Sequence, residues 1–233
     1  MTGFNLNNDT KKKLLEFLST YISENKKQLF DKIIEYRTRH ITVVLEDIYQ
    51  PHNASAVLRS SDCFGIQDVH IIENRNTYEV NPDVALGSSK WLTLIKHNRL
   101  NNNTLDAFET LRKQGYRIVA TTPHNNDHSL DDLEINSKTA LVFGNELEGL
   151  SDIALKNADD FVKIPMYGFT ESFNISVSAA IIFHHLTEKL RKSGINWKLS
   201  DDEILDIKLN WVRSVIKRNE IFEKEFFSRG MRK

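Results

Sequence analysis

The 233-residue sequence predicts an α/β domain with a mainly parallel sheet, flanked at both ends by helical segments. Short β-branched runs alternate with helical patterns from about residue 38 to residue 194, and this alternation is typical of parallel sheets. The segments on either side have helical patterns alone. We therefore expect a basic helical extension over residues 1–37, a central domain over residues 38–194 and a helical extension over residues 195–233.

The first elements follow from apolar spacing. Apolar residues recur at intervals of three and four between residues 9 and 36, which predicts a helix. The run Ile-Thr-Val-Val-Leu at residues 41–45 is typical of a buried strand. Residues 54–64 predict a helix that ends at Gly65. Cys63 lies in this helix, where we expect it to be a buried residue and not a nucleophile.

The same alternation continues to the end of the central domain. Predicted strands cover residues 69–72, 91–95, 116–121, 140–143 and 161–164. Predicted helices cover residues 104–114, 151–157 and 174–192, and a charged amphipathic helix covers residues 201–227 of the tail.

Composition restricts the class of protein. One cysteine excludes an internal disulfide and a multi-cysteine zinc site, and we expect a cytoplasmic location. The sequence has no run of about 18 apolar residues and no signal-peptide pattern, so we expect no membrane segment. The formal net charge of −1 argues against binding of nucleic acid through bulk charge, although basic residues cluster near both ends.

Ligands of open parallel sheets bind beyond the carboxyl ends of the strands, so the segments after the strands are candidate sites. The first candidate pairs Asn53 with Arg59 after the first strand, although Asn53 is also typical of a helix N-cap. The second has Gly144, Glu146 and Gly149 in a loop after a buried strand. This loop is not the G-x-G-x-x-G of a dinucleotide site.

The third candidate segment covers residues 164–182, where small polar residues interrupt an apolar helix start. Ser172 and Asn174 offer hydroxyl and amide groups there. Ordinary N-capping followed by a buried helix explains the same pattern, so both interpretations stay open on the residues alone.

In this order, the three segments resemble the three motifs of the SPOUT-class RNA 2′-O-ribose methyltransferases, of the TrmH type that methylates guanosine. The first motif is matched by Asn53 and Arg59, and the second by Gly144, Glu146 and Gly149. The third motif is matched by Pro165, Met166, Gly168, Ser172, Phe173, Asn174 and Ser176.

The resemblance implies a Rossmann-like sheet with a C-terminal trefoil knot, a homodimer with composite sites, and no metal. It also implies S-adenosyl-L-methionine as the cofactor, with S-adenosyl-L-homocysteine as its product. The implied cofactor-binding residues are Thr121, Thr122, Gly144, Asn145, Glu146, Gly149, Ile164, Pro165, Met166, Ser172, Phe173 and Asn174.

The family's activity implies catalytic roles at matching positions. Arg59 would act on the ribose 2′-hydroxyl, and we expect it to orient that group and stabilise the forming alkoxide, since a guanidinium holds its proton tightly. The residues expected to shape the catalytic site around it are Asn53, Glu146, Ser172 and Asn174.

The two helical extensions favour tRNA as the substrate, because they resemble those of enzymes that methylate the D-loop guanosine at position eighteen. His52 and the segment of residues 87–91 resemble the same subgroup. The expected RNA contacts are Lys12, Arg37, Arg39, His52, Lys90 and Arg191. The alternatives are a 23S ribosomal RNA guanosine 2′-O-methyltransferase, a tRNA wobble-position enzyme, a base methyltransferase of the wider class, and an inactive RNA-binding homologue.

Overall fold

The computed structural model describes residues 6–78, 85, 87–123 and 128–230. The chain forms two compact units. The first contains both ends of the chain, up to Arg37 and from Lys198 onward, and the second consists of Thr38–Trp197. The first unit has 16 Lys and Arg against 12 Asp and Glu in its sequence, a formal charge of +4, which leaves 15 against 20, or −5, for the second.

The first unit is helical. Its helices are α1 (Asn8–Ser19), α2 (Glu24–Ile34), α7 (Asp201–Val215) and α8 (Asn219–Gly230). Helix α1 packs against α7 and α8, and α2 packs against α7. Leu14 and Leu18 of α1, four residues apart on one helix face, are fully buried in this unit.

The single helix predicted over residues 9–36 is wrong, because α1 and α2 are separate. The hydroxyl of Ser23 accepts the backbone N–H of Lys26 and so begins a new helix. The helix predicted over residues 201–227 is likewise divided into α7 and α8. Arg218 lies between them with a φ of 55°, a left-handed conformation that cannot continue a right-handed helix. Apolar periodicity continues across both breaks, so it does not reveal them.

The second unit is built on a parallel sheet. Its strands are β1 (Ile41–Glu46), β2 (Asp68–Ile72), β3 (Thr93–His97), β4 (Arg117–Thr121), β5 (His128–Ser129), β6 (Thr139–Phe143) and β7 (Asp160–Lys163). They lie in the order β3-β2-β1-β6-β4-β7-β5, and all described neighbours are parallel. The predicted parallel α/β fold is confirmed, whereas the trefoil knot stays a prediction.

Helices cover both faces of the sheet. They are α3 (Pro51–Cys63), α4 (Asn103–Lys113), α5 (Asp152–Asn157) and α6 (Ile175–Lys192), and a 3₁₀ turn covers Ser88–Lys90. Alternate residues of β1 point to opposite faces. Val43 packs in the core with α3 and α6, and Val44 packs in the core with α4 and α5.

Three details of the second unit differ from the sequence prediction. Strand β3 begins at Thr93, two residues later than predicted, because residues 88–90 form the 3₁₀ turn. The two-residue strand β5 has too few residues to show a pattern. Cys63 is exposed, so its predicted burial is wrong: it is the last residue of α3 and faces away from the core.

Two histidines are buried between β2, β3 and α4. Nδ1 of His70 lies 3.0 Å from Nε2 of His97, and Nδ1 of His97 lies 3.0 Å from a carboxylate oxygen of Asp106. Burial, together with the neighbouring His97, lowers the pKa of His70 to about 3. His70 is therefore neutral in the folded protein at pH values near neutrality.

Candidate functional site

The three motif segments meet at the carboxyl edge of the sheet. Strands β1 and β6 are neighbours, and the chain leaves β1 toward β2 and β3 on one side while β4 and β7 lie on the other. This is the point where the strand order reverses and where such sheets bind ligands. Helix α3 follows β1, the loop from Gly144 to Gly149 follows β6, and the loop before α6 follows β7.

One residue from each motif takes part in a hydrogen-bonded chain. Nδ2 of Asn53 donates to Oε1 of Glu146 at 2.8 Å. Nδ2 of Asn174 donates to Oδ1 of Asn53 at 3.0 Å. We call Glu146, Asn53 and Asn174 the motif chain. It fixes the two loops and helix α3 relative to one another.

Glu146 also holds the start of α3. Its carboxylate accepts the backbone N–H groups of Tyr49 and Gln50 at 3.1 and 3.3 Å. Gln50 is the N-cap residue and makes no side-chain cap of its own. The N-cap interpretation of Asn53 is therefore wrong: Asn53 lies inside the first turn, is 3% exposed, and uses its side chain in the motif chain.

The motif residue Asn174 has both roles that the sequence left open. It is the N-cap of α6, where its Oδ1 accepts the backbone N–H and the hydroxyl of Ser176 at 2.8 and 2.7 Å. Its Nδ2 is at the same time the donor to Asn53. Capping and site formation are therefore not alternatives here, because the amide oxygen caps the helix and the amide nitrogen takes part in the motif chain.

The loop after β6 closes tightly on itself. Asn145 and Gly149 exchange two backbone hydrogen bonds, of 2.8 and 2.9 Å. A Cβ atom on Gly144 would lie 2.3 Å from the backbone carbon of Gly149 and 2.3 Å from the nitrogen of Leu150. Gly149 has a φ of +73°. Both glycines are therefore required by the backbone, the first for space and the second for its conformation.

A cavity of about 560 Å³ opens beside this loop. Of the predicted cofactor-binding residues, all but Pro165 line it: Thr121, Thr122, Gly144, Asn145, Glu146, Gly149, Ile164, Met166, Ser172, Phe173 and Asn174. Pro165 is exposed. Asn53 and Glu146 of the motif chain border the same cavity as the cofactor candidates.

Further lining residues were missed by sequence reasoning, and most of them are apolar. They come from strand ends, from the loop after β6 and from inward positions of α5 and α6: Phe143, Leu150, Leu155, Val162, Ile175 and Ile182. Their residue types are the same as those of core residues, so the sequence alone does not distinguish them. An apolar wall opposite a polar loop suits a flat heteroaromatic ring with polar edges.

Arg59 does not line this cavity. It lies six residues after Asn53 on α3, so it is about 9 Å further along the helix and turned by about 120°. Its side chain is exposed, and within the described residues it has no hydrogen bond or ion pair. The structure thus brings Asn53, Glu146, Ser172 and Asn174 to one cavity and leaves Arg59 outside it.

Three of the predicted RNA contacts are exposed: Lys12, His52 and Lys90. Two others already have partners, because Arg39 pairs with Asp68 at 2.9 Å and Arg191 donates to the carbonyl of Phe64 at 2.8 Å. The prediction that Arg37 contacts RNA is wrong, because Arg37 is buried. It is 3% exposed, and its guanidinium lies 5.4 Å from the ring centre of Trp211. It cannot reach a phosphate in this position.

The family model for the SpoU rRNA methylase family matches residues 40–184, the region that contains all three motif segments. The chain belongs to this family. A tRNA (guanosine(18)-2′-O)-methyltransferase from Borreliella burgdorferi is 44% identical over 211 residues, which cover 91% of this chain and 95% of the relative. A tRNA (guanosine(18)-2′-O)-methyltransferase from Thermus thermophilus is 31% identical over 173 residues, which cover 74% of this chain and 87% of the relative.

Solved structures of the family have the same fold. The TrmH/SpoU tRNA-modifying enzyme of Aquifex aeolicus superimposes with a TM-score of 0.74 at 28% identity, over 83% of this chain and 98% of that one. The SpoU methyltransferase AviRb from Streptomyces viridochromogenes, solved in complex with AdoMet, superimposes with a TM-score of 0.55 at 22% identity, over 70% of this chain and 62% of that one.

No group of three or more His, Cys, Asp or Glu side chains is placed to hold a metal ion in the described part of the chain. No helix among the described residues has the length and apolar character needed to cross a membrane.

Proposed function

We propose that this chain transfers a methyl group from S-adenosylmethionine to the ribose 2′-hydroxyl of guanosine 18 in the D-loop of tRNA. The observation that carries this proposal is the motif chain of Glu146, Asn53 and Asn174 at the edge of one cavity. The choice of tRNA rests on the relatives: one that is 44% identical over nearly the whole of both chains is a tRNA (guanosine(18)-2′-O)-methyltransferase.

The cavity residues fit S-adenosylmethionine. Gly144 leaves room for the loop to close on its own backbone at Gly149 and Leu150, and this closed loop forms one wall of the cavity. Ile164, Ile175 and Ile182 would pack against an adenine ring, and Thr121, Thr122 and Asn145 would offer polar groups to its edges and to the ribose. When bound, this cofactor supplies an electrophilic methyl group. The product would be S-adenosylhomocysteine.

The protein's own task is to present the 2′-hydroxyl to that methyl group. This hydroxyl is a weak acid, so its oxygen must be aligned for attack while its proton leaves. Arg59 would donate hydrogen bonds to the oxygen and stabilise negative charge as it forms. An arginine does not give up its proton at neutral pH, so a phosphate of the RNA would accept the hydroxyl proton. Asn53 and Asn174 would hold the walls of this site in place.

We further propose that the active form is a homodimer. Phe173, just before α6, and Val177 and Ile181 on α6 are apolar side chains that are between 36% and 44% exposed, and such a patch is typical of a protein interface. Arg59 lies outside the cavity of its own chain, so a second copy would bring its Arg59 to the site. Since its substrate would be tRNA, we place the protein in the cytoplasm.

Methyl transfer from labelled S-adenosylmethionine tests the proposal. Total tRNA and ribosomal RNA would be supplied separately, followed by digestion to nucleosides. We expect label in 2′-O-methylguanosine from tRNA alone. Label in ribosomal RNA alone would keep the reaction and overturn the substrate, and label in a methylated base would overturn the reaction itself.

The role of Arg59 has its own test. Arg59→Lys keeps the charge but removes the planar donor fork, so we expect turnover to fall by about a hundredfold with cofactor affinity unchanged. Arg99→Lys, at another exposed arginine of the same unit, is the matched control and should leave turnover unchanged. Near-normal turnover of Arg59→Lys would show that the donor fork is not needed.

A further inference from the structure

A second cavity of about 540 Å³ lies next to the first, and no role has so far been given to it. Residues 145 and 147–150 of the loop after β6 line both cavities. The second cavity is also lined by Tyr49, Arg75 and Glu148. The backbone N–H of Tyr49 donates to Glu146 of the motif chain, so one residue joins the second cavity to the first.

The side chains that can act on a ligand there are few. Arg75 and Glu148 form an ion pair with a distance of 2.6 Å, and their side chains are 70% and 69% exposed. Tyr49 is 62% exposed. The cavity therefore presents an aromatic ring, a carboxylate and a guanidinium on one rim.

Of the three other carboxylates that line the cavity, Glu46 and Asp47 already accept hydrogen bonds. Glu46 is 2% exposed and accepts Ser151 N–H, Ser151 Oγ and Thr104 Oγ1 at 2.9, 2.8 and 2.6 Å. Oδ1 of Asp47 accepts the backbone N–H groups of residues 74, 75 and 76 at 2.7, 2.8 and 3.3 Å. These two residues fix the cavity's shape, which leaves Glu148 and Asp152, and of these Glu148 is held on the rim by its ion pair with Arg75.

The charge of the cavity decides the kind of ligand. Glu46, Asp47, Glu148 and Asp152 line it against one arginine, so a phosphate would be repelled. A neutral ring with adjacent N–H donors suits a carboxylate, which accepts through two oxygens. Guanine presents such a pair, N1–H and the N2 amino group, on one edge.

We propose that this second cavity holds the guanine base of the substrate nucleotide, with Glu148 accepting N1–H and N2–H and Tyr49 stacking on the ring. This inference rests on the proposed function. Arg75 would hold the carboxylate in place through its ion pair. Sequence-specific recognition of unpaired RNA bases uses this combination of an aromatic face and hydrogen bonds to the Watson–Crick edge. The shared loop would keep the ribose beside the first cavity while the base is read in the second.

The test compares tRNA transcripts that contain guanosine or inosine at position 18. Inosine keeps N1–H and lacks only the N2 amino group. The wild-type protein should methylate inosine about tenfold less efficiently in kcat/KM, since one charge-assisted hydrogen bond is lost. Glu148→Gln should lower kcat/KM for guanosine about tenfold and bring the two substrates within about twofold of each other. The affinity for S-adenosylmethionine, measured by calorimetry, should not change.

Two further variants separate recognition from general damage. Tyr49→Ala should raise KM for both transcripts by a similar factor of about ten, because stacking does not distinguish them. Glu109→Gln is the matched control: Glu109 is an exposed glutamate of α4 paired with Lys113 at 3.8 Å, and its loss should change neither substrate.

Two outcomes would overturn the inference alone. The first is equal methylation of guanosine and inosine by the wild type, and the second is undiminished discrimination by Glu148→Gln. If instead the wild type methylated neither transcript, the proposed function would fail together with the inference.

Discussion

Two chains of hydrogen-bonded polar side chains in the α/β unit differ in what surrounds them. Glu146, Asn53 and Asn174 join two loops to the start of α3 and border a cavity. His70, His97 and Asp106 have similar distances, but both histidines are buried between strands and a helix. Hydrogen bonding is therefore not what marks a site. We expect the first chain to affect activity and the second to affect stability, and the following changes test this difference.

The largest effect is expected at the loop that forms the wall of the first cavity. Gly144→Ala would place a Cβ atom 2.3 Å from two backbone atoms, so the loop must move. We expect methyl transfer to fall by more than about a thousandfold, with cofactor affinity lost in calorimetry. Gly115→Ala is the control: its φ is +84° but nothing lies within 4 Å, so it should cost about 1 kcal/mol of stability and no activity. Equal activities of the two variants would show that the loop is not part of the site.

A change within the motif chain should act next most strongly. Glu146→Gln keeps the shape but removes the charge that accepts from Asn53 and from the start of α3. We expect kcat to fall by about a hundredfold, while the unfolding midpoint in urea changes little. If stability fell and the activity of the folded fraction did not, the motif chain would be structural like the histidine pair.

The buried histidine pair should show itself in the pH dependence of stability. His70 has a pKa of about 3 when folded and about 6.5 when unfolded, so only the unfolded chain binds its proton between these values. The contribution of His70 to the free energy of unfolding is therefore highest above pH 6.5, and it decreases as the pH falls below that value. We expect the free energy of unfolding to drop by about 1.4 kcal/mol between pH 7.5 and pH 5.5 from this group. Urea titrations of the wild type and of His70→Asn measure it, and equal slopes in the two would contradict this assignment.

The smallest effect is expected in the helical unit, whose formal charge is +4. Lys12 and Lys11 are neighbours on α1, but Lys11 pairs with Asp206 at 2.6 Å and Lys12 is exposed. Lys12→Ala should weaken tRNA binding about twofold and lower the salt dependence by about one unit. Lys11→Ala should do less. Filter binding at several salt concentrations would distinguish the two variants. A larger loss of tRNA affinity for Lys11→Ala than for Lys12→Ala would show that the ion pair with Asp206 does not keep Lys11 from contacting RNA.

Local patterns predicted most of the fold and the positions of the motifs. The strand run at Ile41–Glu46 and the glycines of the loop after β6 follow from residue types that few other conformations accept. Patterns did not predict the breaks before Ser23 and at Arg218, because the apolar periodicity continues across them. They also placed Arg37 on the surface, since a charge gives no sign that an aromatic ring such as Trp211 covers it.

The contacts of the site depend on distant pairings that the sequence does not contain. Glu146 and Asn53 are 93 positions apart, and Asn174 is 121 positions from Asn53, so their bonds follow from the order of the strands. The roles of Glu46 and Asp47 in holding neighbouring loops were missed for the same reason. Acidic residues at the end of a strand indicate that a functional site is near, but they do not indicate which loop their carboxylates bind.

The most direct test of the central claim removes the acceptor atom and nothing else. A tRNA with a single 2′-deoxyguanosine at position 18 would be compared with the matched all-ribose tRNA, using labelled S-adenosylmethionine. Our account predicts methylation of the all-ribose tRNA and no label in the deoxy form, although both should bind with similar affinity. Label incorporated equally into both would contradict ribose methylation at this nucleotide.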